Sequence, residues 1–400
     1  MNSVSKTVWV LNPWDALPGE IGFDRGMRLA EGLAAAGHAV VWFNADYSHA
    51  EKKKRQSQGN YHIACKIVLV PVVTYRSHTG VRRLLSLLSY SIALFGLSFR
   101  HQSPRVILTC GPVPFSLIIL VWYRLFHRSK IVTELRDLWP EGSVNLASSS
   151  FSRRMFRVLA VPVKWYRSGI FRSSSAMVFL NKTYERWFAR HYAKLRTTQR
   201  SVVSYPSPFV SEVGTLITSK VRDTITFLFS GTLGASHDHM MLLQALAHRS
   251  FPSANFVVTG DGPNRRKLES HILAAGLENI RVLGYLADSD YKRVLNDSDV
   301  GIALYLRGSP VSMPTKVIDY INAGKPLIVS AINEEAAEVV RKNDIGFVVD
   351  SLDDLVLAIA RYCDDRELID RHRRNVLSLK SEFEPSRQVE KIIALVGELS

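Results

Sequence analysis

Two doubly wound α/β domains are predicted for this chain from three observations. It has 400 residues, its apolar strand-like runs alternate with helical patterns, and that alternation restarts after a proline-containing junction. Four hundred residues exceed what one core usually organises and suit two. Hydrophobic residues make up 46% and charged residues 22% of the chain, which fits a folded globular protein and excludes a disordered one.

Residues 7–11 form the first apolar run, followed by a loop with proline and glycine over 12–22. Residues 27–36 carry a helical pattern that Gly37 and His38 end, and 40–43 read as the second strand. Strand, helix and strand in that order specify a parallel pairing and hence a doubly wound sheet. Further strands are predicted at 67–70, 106–109, 131–134 and 176–180. The junction falls near Val203 to Pro208, where Pro206 and Pro208 suit an interdomain linker. The pattern then begins again with a strand at 224–230, a glycine turn and a helix at 239–248. Strands at 255–259, 280–283, 300–304, 326–329 and 346–349 complete the series. The predicted domains are residues 1–205 and 206–384, with a closing helix in 385–400 expected to pack back on the first domain.

Cys65, Cys110 and Cys363 are few and far apart. They offer neither a metal site nor a disulfide framework, so a reducing compartment is expected. The first apolar run is short and reads as a strand, not a signal peptide. No run reaches the ~20 apolar residues of a spanning helix; the nearest approach is 84–99, which carries no charge and is bounded by Arg83 and Arg100. The net charge of +15 is uneven. Up to Tyr205, 29 Lys+Arg face 10 Asp+Glu, a net of +19; beyond it 22 face 26, a net of −4. A basic first half implies an anionic membrane surface or nucleic acid as partner. Nucleic acid is set aside, because no aromatic-interleaved or helix-turn-helix signature accompanies the charge.

Three segments of the second half point to an anionic ligand. Ser230-Gly-Thr-Leu-Gly234 is a glycine turn between a strand and a helix, the arrangement that presents backbone N–H groups to a phosphate. Any tight strand-to-helix turn also uses glycine. Gly260 and Gly262 stand at the end of the next strand, where ligands of α/β sheets sit, or serve a simple turn. In Ser312-Met-Pro-Thr-Lys-Val-Ile-Asp319, a polar loop leads into a helix with Lys316 in its first turn and Asp319 on the same face. A cation there opposes the helix dipole and costs stability unless an anion sits beside it. A diphosphate on Lys316 and ribose hydroxyls on Asp319 would satisfy both side chains; the alternative is a surface ion pair between them.

Together with Gly284-Tyr-Leu286, Ser298-Asp-Val300 and the continuation to Pro326, these segments resemble the C-terminal domain of the family 4 glycosyltransferases. The resemblance spans roughly residues 227–349 and implies the GT-B fold, two Rossmann-like domains facing a central cleft. It also implies a metal-independent transfer that retains the anomeric configuration, with a nucleotide sugar as co-substrate and no other cofactor. It assigns the turn of Gly231, Thr232 and Leu233 to the phosphates, Gly260 and Gly262 to the nucleotide-sugar site, Tyr285 and Leu286 to the base, and Ser312, Met313, Pro314, Thr315 and Lys316 to the diphosphate and sugar. Asp319 would hold the ribose. Two departures are clear: Val311 stands where many members carry a first glutamate. Thr232 and Asp238 stand where many carry an arginine and a lysine, which leaves diphosphate neutralisation to Lys316 or to backbone amides.

The first half is similar to the same branch, which builds bacterial surface polysaccharide. Pro18-Gly-Glu-Ile-Gly22 with Arg25 resembles its first strand–loop–helix, and places Gly22 near the donor or in a plain helix-entry loop. Asp46-Tyr-Ser-His49 and Glu134-Leu-Arg-Asp-Leu-Trp-Pro140 also recur there. His49, Asp137 and Trp139 are therefore candidate acceptor contacts. A strand-end carboxylate such as Asp137 can orient or deprotonate a hydroxyl, or merely cap a helix or pair with Arg136. Small residues at helical spacing within 84–99, flanked by Arg82, Arg83, Arg100 and His101, suit monotopic contact with an anionic leaflet or a buried helix.

The expected reaction is transfer of a hexose or N-acetylhexosamine, with uridine diphosphate favoured as carrier, to a glycan or polyprenyl-diphosphate-linked acceptor. Lys316 and Asp137 are the catalytic candidates, since leaving-group charge must be stabilised. The expected setting is the cytoplasmic face of the plasma membrane. Two other readings are a non-hydrolysing nucleotide-sugar 2-epimerase and a catalytically degenerate partner subunit.

Overall fold

A computed structural model describes residues 7–20, 22–55, 63–76, 80–111, 113, 115–138, 150–196, 199–207, 224–234, 236–248 and 251–400. Trp139, a predicted acceptor contact, lies outside the described residues, as do the side chains of Arg153, Arg154 and Arg157.

Two compact units divide the chain. The first holds Met1–Pro206 with Gln388–Ser400, the second Ser207–Arg387. In the first, β1 (Thr7–Leu11), β2 (Ala39–Ala45), β5 (Lys66–Val70), β6 (Val106–Cys110), β7 (Lys130–Leu135), β8 (Ala176–Phe179) and β9 (Arg200–Val203) form one sheet. Its order is β5-β2-β1-β6-β7-β8-β9 and every pairing is parallel. A separate hairpin joins β3 (Tyr47–Ser48) to β4 (Lys53–Lys54). The second unit has β10 (Ile225–Ser230), β11 (Ala254–Thr259), β12 (Ile280–Gly284), β13 (Val300–Ala303), β14 (Leu327–Ser330) and β15 (Gly346–Val349). They run parallel in the order β12-β11-β10-β13-β14-β15.

These strands are near-continuous apolar runs because helices cover both faces of a parallel sheet. In β1, Val8 and Val10 enter one core with Leu29, Leu33 and Ile392. Trp9 and Leu11, pointing the other way, enter a second core with Tyr90, Leu94, Leu120 and Tyr123. Each such buried side chain contributes roughly 1.5–3 kcal/mol. A third core lies in the second unit, around Phe227, Phe229, Phe256 and Ile302. The C-terminal helix Pro385–Gly397 joins the first unit from Gln388 onward. Gly32 admits it: a Cβ there would stand 2.8 Å from Val389 and 2.9 Å from Ile393.

Three elements go beyond the sequence reading. Arg200–Val203, of which only Val203 falls in the predicted junction, is the edge strand β9. Val81–Ser98 is one helix that begins before the uncharged stretch. The basic segment after 149 is a long helix, Ser150–Ser173, with Pro162 inside it.

What positions the site is the order of the second sheet. From β10 the chain builds outward through β11 and β12, then returns to the other side of β10 as β13, so β10 and β13 flank a crevice at their C-terminal ends. Open α/β sheets bind ligands at such switch points.

Candidate functional site

Lys316 fills the crevice. The helix Thr315–Asn322 starts after Pro314, with no side-chain cap and no acid in its first turn, so its orphan N–H groups and dipole present positive potential. Lys316 is 6% exposed. Its Nζ stands 4.6 Å from the Phe229 ring centre and 5.3 Å from that of Tyr305, and makes no hydrogen bond among the described residues. Burial pushes its pKa down to about 7, against the upward pull of Asp319. His237 approaches Tyr305 Oη with Nε2 at 3.1 Å; burial, then the Lys316 charge, push its pKa down to about 3. It therefore stays neutral beside the lysine. A buried cation at an uncapped helix start is expensive without a counter-ion, and the geometry favours an anion.

The glycine turn is built for that lysine. Gly231 has φ +119°, and a Cβ on it would stand 3.0 Å from Lys316 Nζ. Its N–H, however, donates to Thr259 O (3.0 Å), and that of Leu233 donates to Asp261 O (2.9 Å). The Leu233 side chain is wholly buried in the core. The phosphate-cradle reading is thus corrected for the amides of Gly231 and Leu233: the turn leaves room for Lys316, while Leu233 anchors it. Thr232, between them, is exposed. Gly260 and Gly262 have the structural role. A Cβ on Gly260 would lie 1.9 Å from Gly231 O, and one on Gly262 2.6 Å from Leu233 O, so these glycines let two turns stack backbone on backbone.

Asp319 is buried one turn beyond Lys316 and accepts a hydrogen bond from Tyr291 Oη to Oδ2 (3.2 Å). Tyr291 Oη also lies 3.1 Å from Ser230 Oγ, which lies 2.9 Å from Tyr320 Oη. Tyr320 reaches this point because position 301 is glycine; a Cβ there would meet its ring at 2.2 Å. Burial of both Lys316 and Asp319 overturns the surface ion-pair alternative. Ser312 is also buried: its Oγ accepts from Glu335 N (3.0 Å) and its carbonyl from Ala336 N (3.1 Å). Ser312 thus pins the loop to the helix Glu334–Asn343; Met313 is buried as well, while Thr315 is exposed beside Lys316. Tyr285, exposed, and Leu286 follow β12, two strands from β10. At ~4.8 Å per strand that is roughly 10 Å, a distance suited to a nucleotide lying along the sheet edge.

In the first unit, the strand ends carry a buried ion network. Arg25 Nε and Arg136 Nε each donate to Glu134 at 2.6 Å, and Arg136 Nη1 to Asp15 at 2.8 Å. Arg25 also donates to Ser204 O (3.0 Å) and Tyr205 O (2.9 Å). Arg136 is therefore occupied by Asp15 and Glu134. Asp137 follows, solvent-accessible yet ringed by protein. Desolvation raises its pKa, with Arg136 and Arg83 opposing. His49 Nδ1 meets Tyr75 Oη, and Lys52 Nζ lies 5.0 Å from the Tyr75 ring centre. Gly22, with φ +142°, packs in the entry loop, where a Cβ would meet Ala16 at 3.3 Å and Ala50 at 3.4 Å.

Tyr291, Tyr305, His237 and Phe229 were not singled out from sequence. They come from four different elements, and no spacing pattern links them.

Two doubly wound sheets, the second with this site at its switch point, define the GT-B class of fold. Residues 217–377 match the family described as glycosyl transferases group 1. The chain is similar to a chitobiosyldiphosphodolichol beta-mannosyltransferase of Candida albicans, 21% identical over 62% of this chain and 57% of that protein. A Mus musculus protein of the same name is 32% identical over 28% of this chain and 23% of its own. The chain thus spans little more than half of the first relative and less of the second. Among solved structures, WaaG, a glycosyltransferase involved in lipopolysaccharide biosynthesis, matches with a TM-score of 0.67 at 16% identity, over 98% of this chain and 99% of that one. HepE of Anabaena in complex with UDP matches with a TM-score of 0.66 at 15% identity over the same shares.

Proposed function

We propose that this protein is a retaining glycosyltransferase that moves a hexose or N-acetylhexosamine from a nucleoside diphosphate sugar, with UDP favoured, to a lipid-linked or glycan acceptor in surface polysaccharide synthesis. The observation that carries the reading is Lys316 Nζ, a buried cation without a hydrogen-bonding partner among the described residues, at an uncapped helix N-terminus in a Rossmann switch point. A departing diphosphate supplies the missing counter-charge, and its negative charge grows in the transition state, which is where stabilisation accelerates the reaction. Asp319 would bind ribose hydroxyls while Tyr291 holds its other oxygen. Asp137 would orient the acceptor hydroxyl or take its proton. The proposed transfer uses no metal, as the resemblance of these segments implies.

HepE, whose fold this chain shares, has been crystallised with UDP-glucose, which supports the choice of carrier. The relatives' name supports a diphosphate-lipid acceptor and also specifies a beta-mannosyl product, so the product's anomeric configuration is a second readout. The test is calorimetry with UDP, then incubation with UDP-sugars and a polyprenyl-diphosphate-linked acceptor. Lys316→Ala is expected to lower transfer by about two orders of magnitude or more while the melting temperature holds. Wild-type turnover in that variant refutes the assignment. Change at C2 of the donor without acceptor establishes the epimerase reading, and absence of nucleotide binding the degenerate one.

A further inference from the structure

The first unit carries an apolar surface that the transfer chemistry does not use. Three helices pack side by side on its sheet: Val81–Ser98, Leu117–Phe126 and Ser150–Ser173. Trp122 joins the first two, with its ring 5.9 Å from Phe95 and 6.1 Å from Phe99. Leu117 N–H donates to Tyr166 Oη at 2.7 Å and joins the second to the third. Their inner faces supply Tyr90, Leu94, Leu120, Tyr123 and Ile170 to the core. Their outer faces are also apolar: Ile92 is 65% exposed, Ile118 73%, Leu125 66% and Trp165 73%. On the first helix, Leu85, Leu88, Ile92 and Phe99 recur at three-, four- and seven-residue steps, which makes one stripe. Single exposed hydrophobes are ordinary, but stripes on three adjoining helices mark an interaction surface.

Charge identifies the partner. No Asp or Glu occurs between Glu51 and Glu134, a span that includes two of the three helices, and the third helix contains none. Arg82, Arg83, Arg100, Arg124 and Arg128 bracket the ends of the first two, and Lys164 and Arg172 lie on the third. An apolar stripe rimmed by cations, with an exposed tryptophan, matches the boundary of an anionic leaflet. The first helix lies on such a surface and does not cross it, since Tyr90 and Leu94 are fully buried in the core and Tyr90 Oη donates to Phe43 O at 2.9 Å.

We propose that this three-helix face docks the protein on an anionic lipid bilayer, with Ile92, Ile118, Leu125 and Trp165 at the acyl boundary and the arginines among the headgroups. Arg83, in the first turn of the helix that carries Ile92, lies close enough to Asp137 for its charge to oppose the rise that burial gives that carboxyl's pKa. Docking therefore sets the candidate acceptor carboxylate near the headgroup layer, where a lipid-linked diphosphate is held; this last step rests on the transfer reading.

Cosedimentation of the full chain with vesicles of phosphatidylcholine, alone or mixed with phosphatidylglycerol, tests the proposal. The wild-type protein is expected to partition onto the anionic vesicles and to release as salt rises. The double variant I92S/W165S should lose roughly tenfold or more of that partition, with melting temperature and UDP affinity unchanged because both side chains are exposed. Equal partition onto neutral and anionic vesicles, no partition by wild type, or undiminished partition by the variant overturns it. So does self-association in sedimentation velocity that the variant abolishes while vesicles are not bound, which reassigns the face to a second copy of the chain. UDP binding is read separately: docking lost with UDP bound sinks only the lipid surface, and docking kept without UDP binding sinks only the transfer reading.

Discussion

Lys316 has a consequence for protonation. Its folded pKa of about 7 lies below the 10.5 of an unburied lysine, because desolvation outweighs the pull of Asp319. The unfolded chain therefore holds the proton more tightly, so this residue's contribution makes stability rise with pH between about 7 and 10.5 and stay flat below that window. A bound diphosphate restores the charge. At pH 8, UDP binding should take up close to one proton, visible as a dependence of calorimetric enthalpy on the ionisation enthalpy of the buffer. Lys316→Met should abolish the uptake, weaken binding by roughly 10–100-fold, and leave the melting temperature equal or higher, since it removes a buried charge. A buffer-independent enthalpy in the wild-type protein would place the diphosphate elsewhere.

At the scale of elements, the donor site depends on two stacked turns and the acceptor half on one ion network. Gly260→Ala sets a methyl 1.9 Å from Gly231 O at φ +118°. Strain and overlap together should cost on the order of 3 kcal/mol and push Gly231 off Lys316, so UDP affinity falls with the melting temperature. A variant with native stability and native affinity would show that the stacking is dispensable. In the network, Glu134 is fully buried. Burial pushes its pKa up, but Arg25 and Arg136 more than offset this, and it ends below 4.5. Its stabilisation is present above that value and lost as pH falls through the lower folded pKa. Glu134→Gln should cost about 3 kcal/mol, by leaving two buried guanidinium groups short of a carboxylate, and should flatten the acid limb of the pH–stability curve; an unchanged acid limb would argue against the network. The strands were legible in the sequence because fully buried parallel strands are unbroken apolar runs. Arg200–Val203 was not, because an edge strand that opens on the polar Arg200 and Ser201 leaves only two apolar residues before Ser204 and makes no apolar run. Lys316 and Asp319 were legible from helix spacing. The amide partners of Gly231 and Leu233 were not, because Thr259 ends β11 and Asp261 lies in the loop after it, far along the chain, a pairing that only the β10–β11 register creates.

At the scale of the molecule, the chain passes from first unit to second after Pro206 and returns after Arg387. The returning segment is structural for the first unit: Ile392 and Val396 are fully buried and Leu395 nearly so, in one cluster with Leu29, Leu33 and Val10. Gln388 secures its start, with Oε1 accepting from Tyr205 N (3.0 Å) and its carbonyl from Ser204 Oγ (2.8 Å). Ending the chain at Arg387 uncovers three side chains worth roughly 1.5–3 kcal/mol each, so the first unit should lose on the order of 5 kcal/mol or unfold. Apart from Gly22, every donor-site residue named above belongs to the second unit, whose core is separate. Scanning calorimetry of the truncated chain should therefore show the first unit's transition lowered or missing, while saturating UDP still raises the second unit's transition by the amount its free concentration and Kd dictate. Loss of the UDP-induced rise along with the first unit would mean that nucleotide binding draws on both units, and the donor site as drawn, around Lys316 alone, would be incomplete.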